Sequence, residues 1–164
     1  MTVQERQALV RDFQRKSRES TKDAPELPDT AQAVLRAKFV LEEALELCAA
    51  LGVDVELHVT ALADQTCDVP VSLTKLVLGS RGPANLVEVV DALRDLEYHI
   101  HGTELALGVA DATDETFLEV HRSNMEKQRV DSVEKAVKPR GWKPPRLAKV
   151  LRKVFPKKAL LFRE

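Results

Sequence analysis

Apolar positions recur with helical spacing along most of this chain and alternate with period two in one short stretch. The pattern predicts helices with a single extended insertion. A first helix is expected over residues 3–20, with Leu9, Val10 and Phe13 on its apolar side. Pro25 and Pro28 in DAPELPDT break it, and Asp29 or Thr30 can cap a second helix that runs to Leu51 and stops at Gly52. VDVELHV (53–59) alternates strictly, with Val53, Val55, Leu57 and Val59 on one side. It reads as one arm of a hairpin with VSLTKLVL (71–78), joined by the loop ADQTCDVP. A third helix is expected from about Ala84 to Leu107, ending at Gly108, and a fourth from a cap at Thr113 or Asp111 to about Gln128. Pro145 suits the first turn of a last, basic helix, RLAKVLRKVF. The expected fold is an all-α bundle with a short β-hairpin insertion and a C-terminal basic helix. Residues 1–137 make the helical domain, with 53–83 as insertion or linker, and 138–164 the tail.

Winding the second and third helices at about 100° per residue exposes their chemistry. Glu42, Glu43 and Glu46 fall within about 100° of one another, opposite Val40, Ala44, Leu47, Cys48 and Leu51. Their stripe continues as Leu35 and Phe39 before the acids and as Ala49 and Ala50 after them, and only Lys38 offers a helical partner, four residues before Glu42. On the third helix Glu88, Asp91 and Asp95 lie within about 60°; their stripe continues with Tyr98, Gly102 and Ala106, and Val89, Leu93, Leu96 and Ile100 make the other side. Acids at helical spacing are ordinarily a solvated face. Two matched rows set into apolar stripes point instead to carboxylates that meet, and such groups repel unless paired or metal-bound. A hard divalent cation with oxygen ligands fits them, and Mg²⁺ also keeps water and phosphate oxygens in its shell.

Composition agrees. The 164 residues are 44% hydrophobic but only 4% aromatic, which favours helix-on-helix packing over a sandwich. No apolar run is long enough to span a bilayer, and the N-terminus has no apolar signal region, so a cytoplasmic protein without a membrane is expected. Cys48 and Cys67 give neither metal spacing nor a disulfide framework. The net charge of −1 conceals an asymmetry: residues 138–164 hold ten Lys or Arg and one acid, a net of +9, so the rest carries −10. Such a tail can meet nucleic acid, an acidic partner or a phosphorylated substrate. Nothing here reads a base sequence, and no Gly-rich phosphate loop is present.

At this point the residues resemble a known family. LEEALEL (41–47) is similar to the ExxE motif of the MazG-like all-α nucleotide pyrophosphohydrolases, and LVEVVDALRDLEYHIHG (86–102) to their second metal-binding helix. EVHRSNMEK (119–127) with KPRGWKPPRL resembles the phosphoribosyl-ATP pyrophosphohydrolase-like subgroup that contains the Deinococcus dUTPase-like member. The resemblance covers roughly residues 8–148 outside 53–83. It implies a MazG-like bundle, Mg²⁺ (alternatively Mn²⁺) as cofactor, and a homodimer or homotetramer. It also implies cleavage between the α- and β-phosphates of a nucleoside triphosphate, with dUTP or another pyrimidine deoxynucleotide as first guess. Carried over by position, Glu43 and Glu46 are the first metal pair, Glu42 helps position water, and Asp95 matches the aspartate of the second ExxD motif. Ala92 stands where that motif has glutamate, so Asp91 or Glu88 must supply the further oxygen. Asn124 and Lys127 match residues that contact nucleotide or phosphate, and Phe13 with Gln14 a pair near the nucleoside pocket.

Other residues divide between roles. Lys127 can instead cover the core with its stem. Arg122 can reach substrate, bridge to a partner subunit or pair with Glu119. Tyr98 can hold a ligand or stack on a base, with core packing as the competing role. His99 and His101, about 160° apart on the helix, read as packing or surface residues rather than a metal pair, and His58 and His121 are isolated. Trp142 is expected to anchor the tail. Two readings compete with the enzyme: a non-catalytic nucleotide- or metal-binding module with a decayed site, signalled by Ala92, and a nucleic-acid or partner-binding protein acting through its tail. Within the enzyme class, a phosphoribosyl-ATP pyrophosphohydrolase of histidine biosynthesis fits the insertion at 53–83 less well.

Overall fold

A computed structural model describes residues 1–61, 71–128 and 136–162, with backbone pairing alone for 57–61 and 71–76. The loop ADQTCDVP, Cys67 and the side chain of His58 lie outside this description. The helices are α1 (Val3–Lys16), α2 (Thr30–Ala50), α3 (Leu86–Leu107), α4 (Thr113–Met125) and α5 (Leu147–Val154), with 3₁₀ turns at Ala110–Ala112 and Pro156–Leu161. Strands β1 (Val53–Ala61) and β2 (Val71–Ser80) form the expected hairpin. The fold is thus mostly helical with one small antiparallel sheet. The chain divides into two compact units, residues 32–100 and residues 1–31 with 101–164.

In the unit of residues 32–100, α2 and α3 run antiparallel: Phe39 meets His99 at one end, and the Asn85 N–H donates to the Ala50 carbonyl at the other (2.9 Å). The hairpin between them pairs Val53 with Ser80 and Ala61 with Val71, with an irregularity between His58 and Val59. Its base is tight. Gly52 has φ +74°, and a Cβ there would lie 2.1 Å from the Gly82 carbonyl oxygen, so only glycine fits. Asn85 caps α3 by accepting from the Val87 N–H (3.1 Å). The inward face of α3 holds buried Val89 and Ala92 with half-buried Leu96 and His99, a spacing of alternating three and four residues. Leu93 and Ile100, expected on the apolar side, are exposed because they lie one residue beyond that seam. On α2 the inward positions are buried Arg36 and Ala50, with half-buried Phe39, Val40, Glu43, Ala44 and Leu47.

In the other unit, α1 opens on a capping box: the Glu5 N–H donates to Thr2 Oγ1 (3.2 Å) and the Thr2 N–H to Glu5 Oε2 (2.6 Å). It ends at Lys16, short of the expected Ser20. The Ser17 N–H and hydroxyl both donate to the Phe13 carbonyl, and Arg18 adopts φ +61°. Its buried face is Gln7, Val10 and Gln14, while Leu9 and Phe13 are exposed. The amide nitrogens of this polar face are hydrogen-bonded: Gln7 Nε2 donates to Thr113 Oγ1 (2.9 Å) and Gln14 Nε2 to the Gly102 carbonyl (2.9 Å). Neither Asp111 nor Thr113 is the N-cap of α4; Ala112 holds that place without a side-chain bond, and Thr113 Oγ1 donates to the Ala110 carbonyl (2.9 Å). Pro145 lies just ahead of α5 rather than in its first turn. Trp142 ties the tail down, its Nε1 donating to the Ser123 carbonyl (2.9 Å), while Ser123 Oγ donates to the Lys143 carbonyl (3.1 Å).

Candidate active site

The register of α2 against α3 decides which acids meet. Glu43 sits on the inward face of α2, its side chain 15% exposed, with Oε1 3.4 Å from His99 Nε2. Its other oxygen, Oε2, is buried and has no hydrogen-bond partner among the described residues. Burial pushes the Glu43 carboxyl above its ordinary value, and the charge of Glu46 adds to this; His99 opposes it, and Asp95 and Glu42 add smaller upward pushes. The Glu43 carboxyl therefore lies in the field of acids from both helices. The other acids are not buried as the stripes suggested: Glu42, Glu46, Glu88, Asp91 and Asp95 are exposed. Glu42 is held by Lys38, 3.5 Å from its Oε1.

Three of the exposed acids, Glu46, Glu88 and Asp91, border a cleft of about 530 Å³, and Glu42, Glu43 and Asp95 lie outside its lining. Glu46, Ala49 and Ala50 line it from α2, Glu88, Asp91 and Ala92 from α3, and Gly52, Arg81, Gly82 and Pro83 from the base of the hairpin. The two rows thus open onto a common space. Ala92 is buried in its wall, so the position where the resemblance expects glutamate offers no oxygen. Among the described residues no three His, Cys, Asp or Glu side chains converge closely enough to hold a metal ion as they stand. The donor set still suits a hard cation: all its charged groups are carboxylates, and one of them keeps a buried oxygen unused.

Two residues of this site escaped the sequence reading. His99, read as packing, stacks on Phe39 (centroids 4.8 Å apart, planes 31° apart) and is met edge-on by half-buried Tyr98 at 6.4 Å. The signal was its place one turn after Asp95, hidden by comparison with His101. His101 is buried in the other unit, its Nδ1 2.9 Å from Glu104 Oε2. Arg81 is the cleft's one cation among the described residues; it is largely exposed, with its Nε 3.8 Å from Asp54 Oδ1. Nothing in SRGP marks it beforehand.

The remaining candidates belong to the other unit. Asn124 is exposed. The Lys127 ammonium lies 5.9 Å over the Trp142 ring, which Lys138 also approaches at 4.4 Å. Arg122 is engaged by Glu119 through Nε (3.0 Å) and Nη2 (2.9 Å), and also by Glu126. Gln14 is buried with its Oε1 unpartnered among the described residues.

Residues 10–124, which include α2, the hairpin, α3 and nearly all of α4, match a family of nucleotide pyrophosphohydrolases. The chain belongs to that family, described as phosphoribosyl-ATP pyrophosphohydrolase. The resemblance to the MazG-like pyrophosphohydrolases is thereby confirmed, and with it a hydrolase whose relatives in general depend on a divalent metal. No curated protein matches the chain. Among the described residues no helix is long and apolar enough to cross a membrane.

Proposed function

We propose that the chain is a Mg²⁺-dependent nucleoside triphosphate pyrophosphohydrolase that cleaves the α–β phosphoanhydride to a nucleoside monophosphate and pyrophosphate. One observation supports this above the others. The half-buried Glu43 carboxylate leaves one oxygen without a partner among the described residues, beside Glu46 of its own helix and within the field of Asp95 of the next. A buried carboxylate in such company is costly unless a cation balances it. Glu43, Glu46 and Asp95 would hold the ion, with Asp91 or Glu88 supplying a further oxygen in place of Ala92; Mn²⁺ is the alternative to Mg²⁺. Bound there, the cation would offset the triphosphate charge and favour deprotonation of the attacking water.

The chain's own residues supply the rest. Glu42, exposed beside Glu43 and steadied by Lys38, orients the water and takes its proton. The water oxygen bonds to phosphorus as the bridging P–O bond breaks, its electron pair leaving with the departing phosphate. Arg81 meets the anionic phosphates in a cleft otherwise lined by acids and small residues. By the resemblance, Asn124 and Lys127 contact the nucleotide, with Arg122, Tyr98 and Gln14 as further candidates.

Two substrates compete for the same chemistry. The resemblance in EVHRSNMEK favours dUTP or another pyrimidine deoxynucleotide, and the family match favours phosphoribosyl-ATP. Pyrophosphate release measured over a panel of both, with Mg²⁺, separates them. Wild type is expected to turn over one class, Glu46→Ala and Asp95→Ala to lose about 100-fold or more, and Arg81→Ala to show a raised KM. Equal turnover by wild type, Glu46→Ala and Asp95→Ala rules the site out.

A further inference from the structure

The Glu43 carboxylate is divided: one oxygen faces His99 at 3.4 Å and the other is buried with no hydrogen-bond partner among the described residues. His99 cannot easily drift from this place. Its ring lies against Phe39, one turn before Glu43 on α2, with centroids 4.8 Å apart, and Tyr98 closes on its edge. Phe39 and Glu43 are four residues apart, so the same helix face that presents the carboxylate presents the surface on which the imidazole rests. A glutamate has three rotatable side-chain bonds, and a half-buried one beside Glu46 is pushed by like charge to swing away. An imidazole nitrogen fixed by stacking opposes that swing at one oxygen only.

We propose that His99 is a positioning residue: held by its stack on Phe39, it fixes Glu43 through Oε1 and so aims the unpartnered Oε2 at the cation. Outer groups that orient metal-binding side chains typically contribute 10- to 100-fold in affinity. His99 then acts on the ion through Glu43 without touching the substrate. This rests on the metal reading above, although its test does not need turnover.

The test is a calorimetric Mg²⁺ titration of the intact chain and two variants that separate ring from nitrogen. His99→Phe keeps an aromatic ring on Phe39 and loses the nitrogen; His99→Gln loses the stack and keeps an N–H near the position of Nε2. The expected result is Mg²⁺ binding about 10-fold weaker in His99→Phe and within about threefold of wild type in His99→Gln. In a Glu43→Gln background, His99→Phe is expected to change nothing further, since the pair is already broken. Unchanged affinity in His99→Phe overturns the proposal, and so does equal weakening in both variants, which would make the ring the operative part. A loss in His99→Phe that persists at full size in the Glu43→Gln background also overturns it. If the wild type binds Mg²⁺ with this pattern yet cleaves no triphosphate, the enzyme reading fails and the positioning role stands.

Discussion

Glu43 is where stability and chemistry pull in opposite directions. Its carboxyl is held above the ordinary value of 4.5, so the folded chain keeps a proton that the unfolded chain has already released. Stability from this group is therefore complete below about pH 4.5 and is lost as pH rises through the folded value. In metal-free protein at pH 7, Glu43→Gln should raise Tm by about 2–4 °C, and the difference should vanish near pH 4. Thermal melts at the two pH values check this; a lower Tm for the variant at pH 7 would contradict it. Adding Mg²⁺ should raise the wild-type Tm more than that of Glu43→Gln. The unusual setting of this carboxylate was legible in the chain, because Glu43 interrupts an apolar stripe. Which acids are buried was not, because that depends on the register of α2 against α3. Two helices wound separately cannot say that Glu43 turns inward while Glu46 and Asp95 stay exposed. His99 was missed for the same reason: its partners, Phe39 and Glu43, lie on the other helix.

The elements themselves were easier to read, wherever local rules decide them. The hairpin follows from the alternation in VDVELHV, and α2 stops where Gly52 must take a left-handed turn against the Gly82 carbonyl. Local rules failed on α1, whose inward face is built from Gln7 and Gln14 rather than Leu9 and Phe13. A glutamine passes for a surface residue until its carbonyl partners arrive from residues about 90 or more positions away. The tail is also placed by a distant pair. Glu119, held by Arg122 and by the Arg146 N–H (2.8 Å), has its carboxyl drawn down to about 2, first by Arg122 and then by that N–H. The stability this gives is present above about pH 4.5 and is lost as pH falls through about 2. Trp142, the chain's one tryptophan, reports it. Its fluorescence should hold its native position from pH 7 to about 4 and shift only towards pH 2, whereas Glu119→Gln should show the shifted emission at pH 7. Identical emission in variant and wild type across this range would count against the pairing.

The chain as a whole leaves much apolar surface open. In residues 32–100, Val34, Leu41 and Leu45 of α2 and Leu86, Val90 and Leu93 of α3 are between 38% and 79% exposed with their neighbours Val87 and Ile100. They recur at intervals of three, four and seven residues, the spacing of a helix seam. Exposed apolar rows of this kind suit an association surface, and we propose a homodimer or homotetramer formed through them. Light scattering after size exclusion should give a multiple of the 18.3 kDa chain mass, and Leu45→Glu with Leu93→Glu should shift it to the monomer. A monomeric wild type would contradict this. In the basic tail Arg146 pairs with Glu119, and the Lys138 ammonium lies over the Trp142 ring.

The most direct measurement of the enzymatic claim is the identity of the products. Nucleoside triphosphate incubated with the chain and Mg²⁺, then resolved by chromatography, should yield nucleoside monophosphate and pyrophosphate in equal amounts. Neither should form when Glu43→Gln replaces the wild type. Release of orthophosphate with a nucleoside diphosphate, or equal yields from the two proteins, would contradict the account.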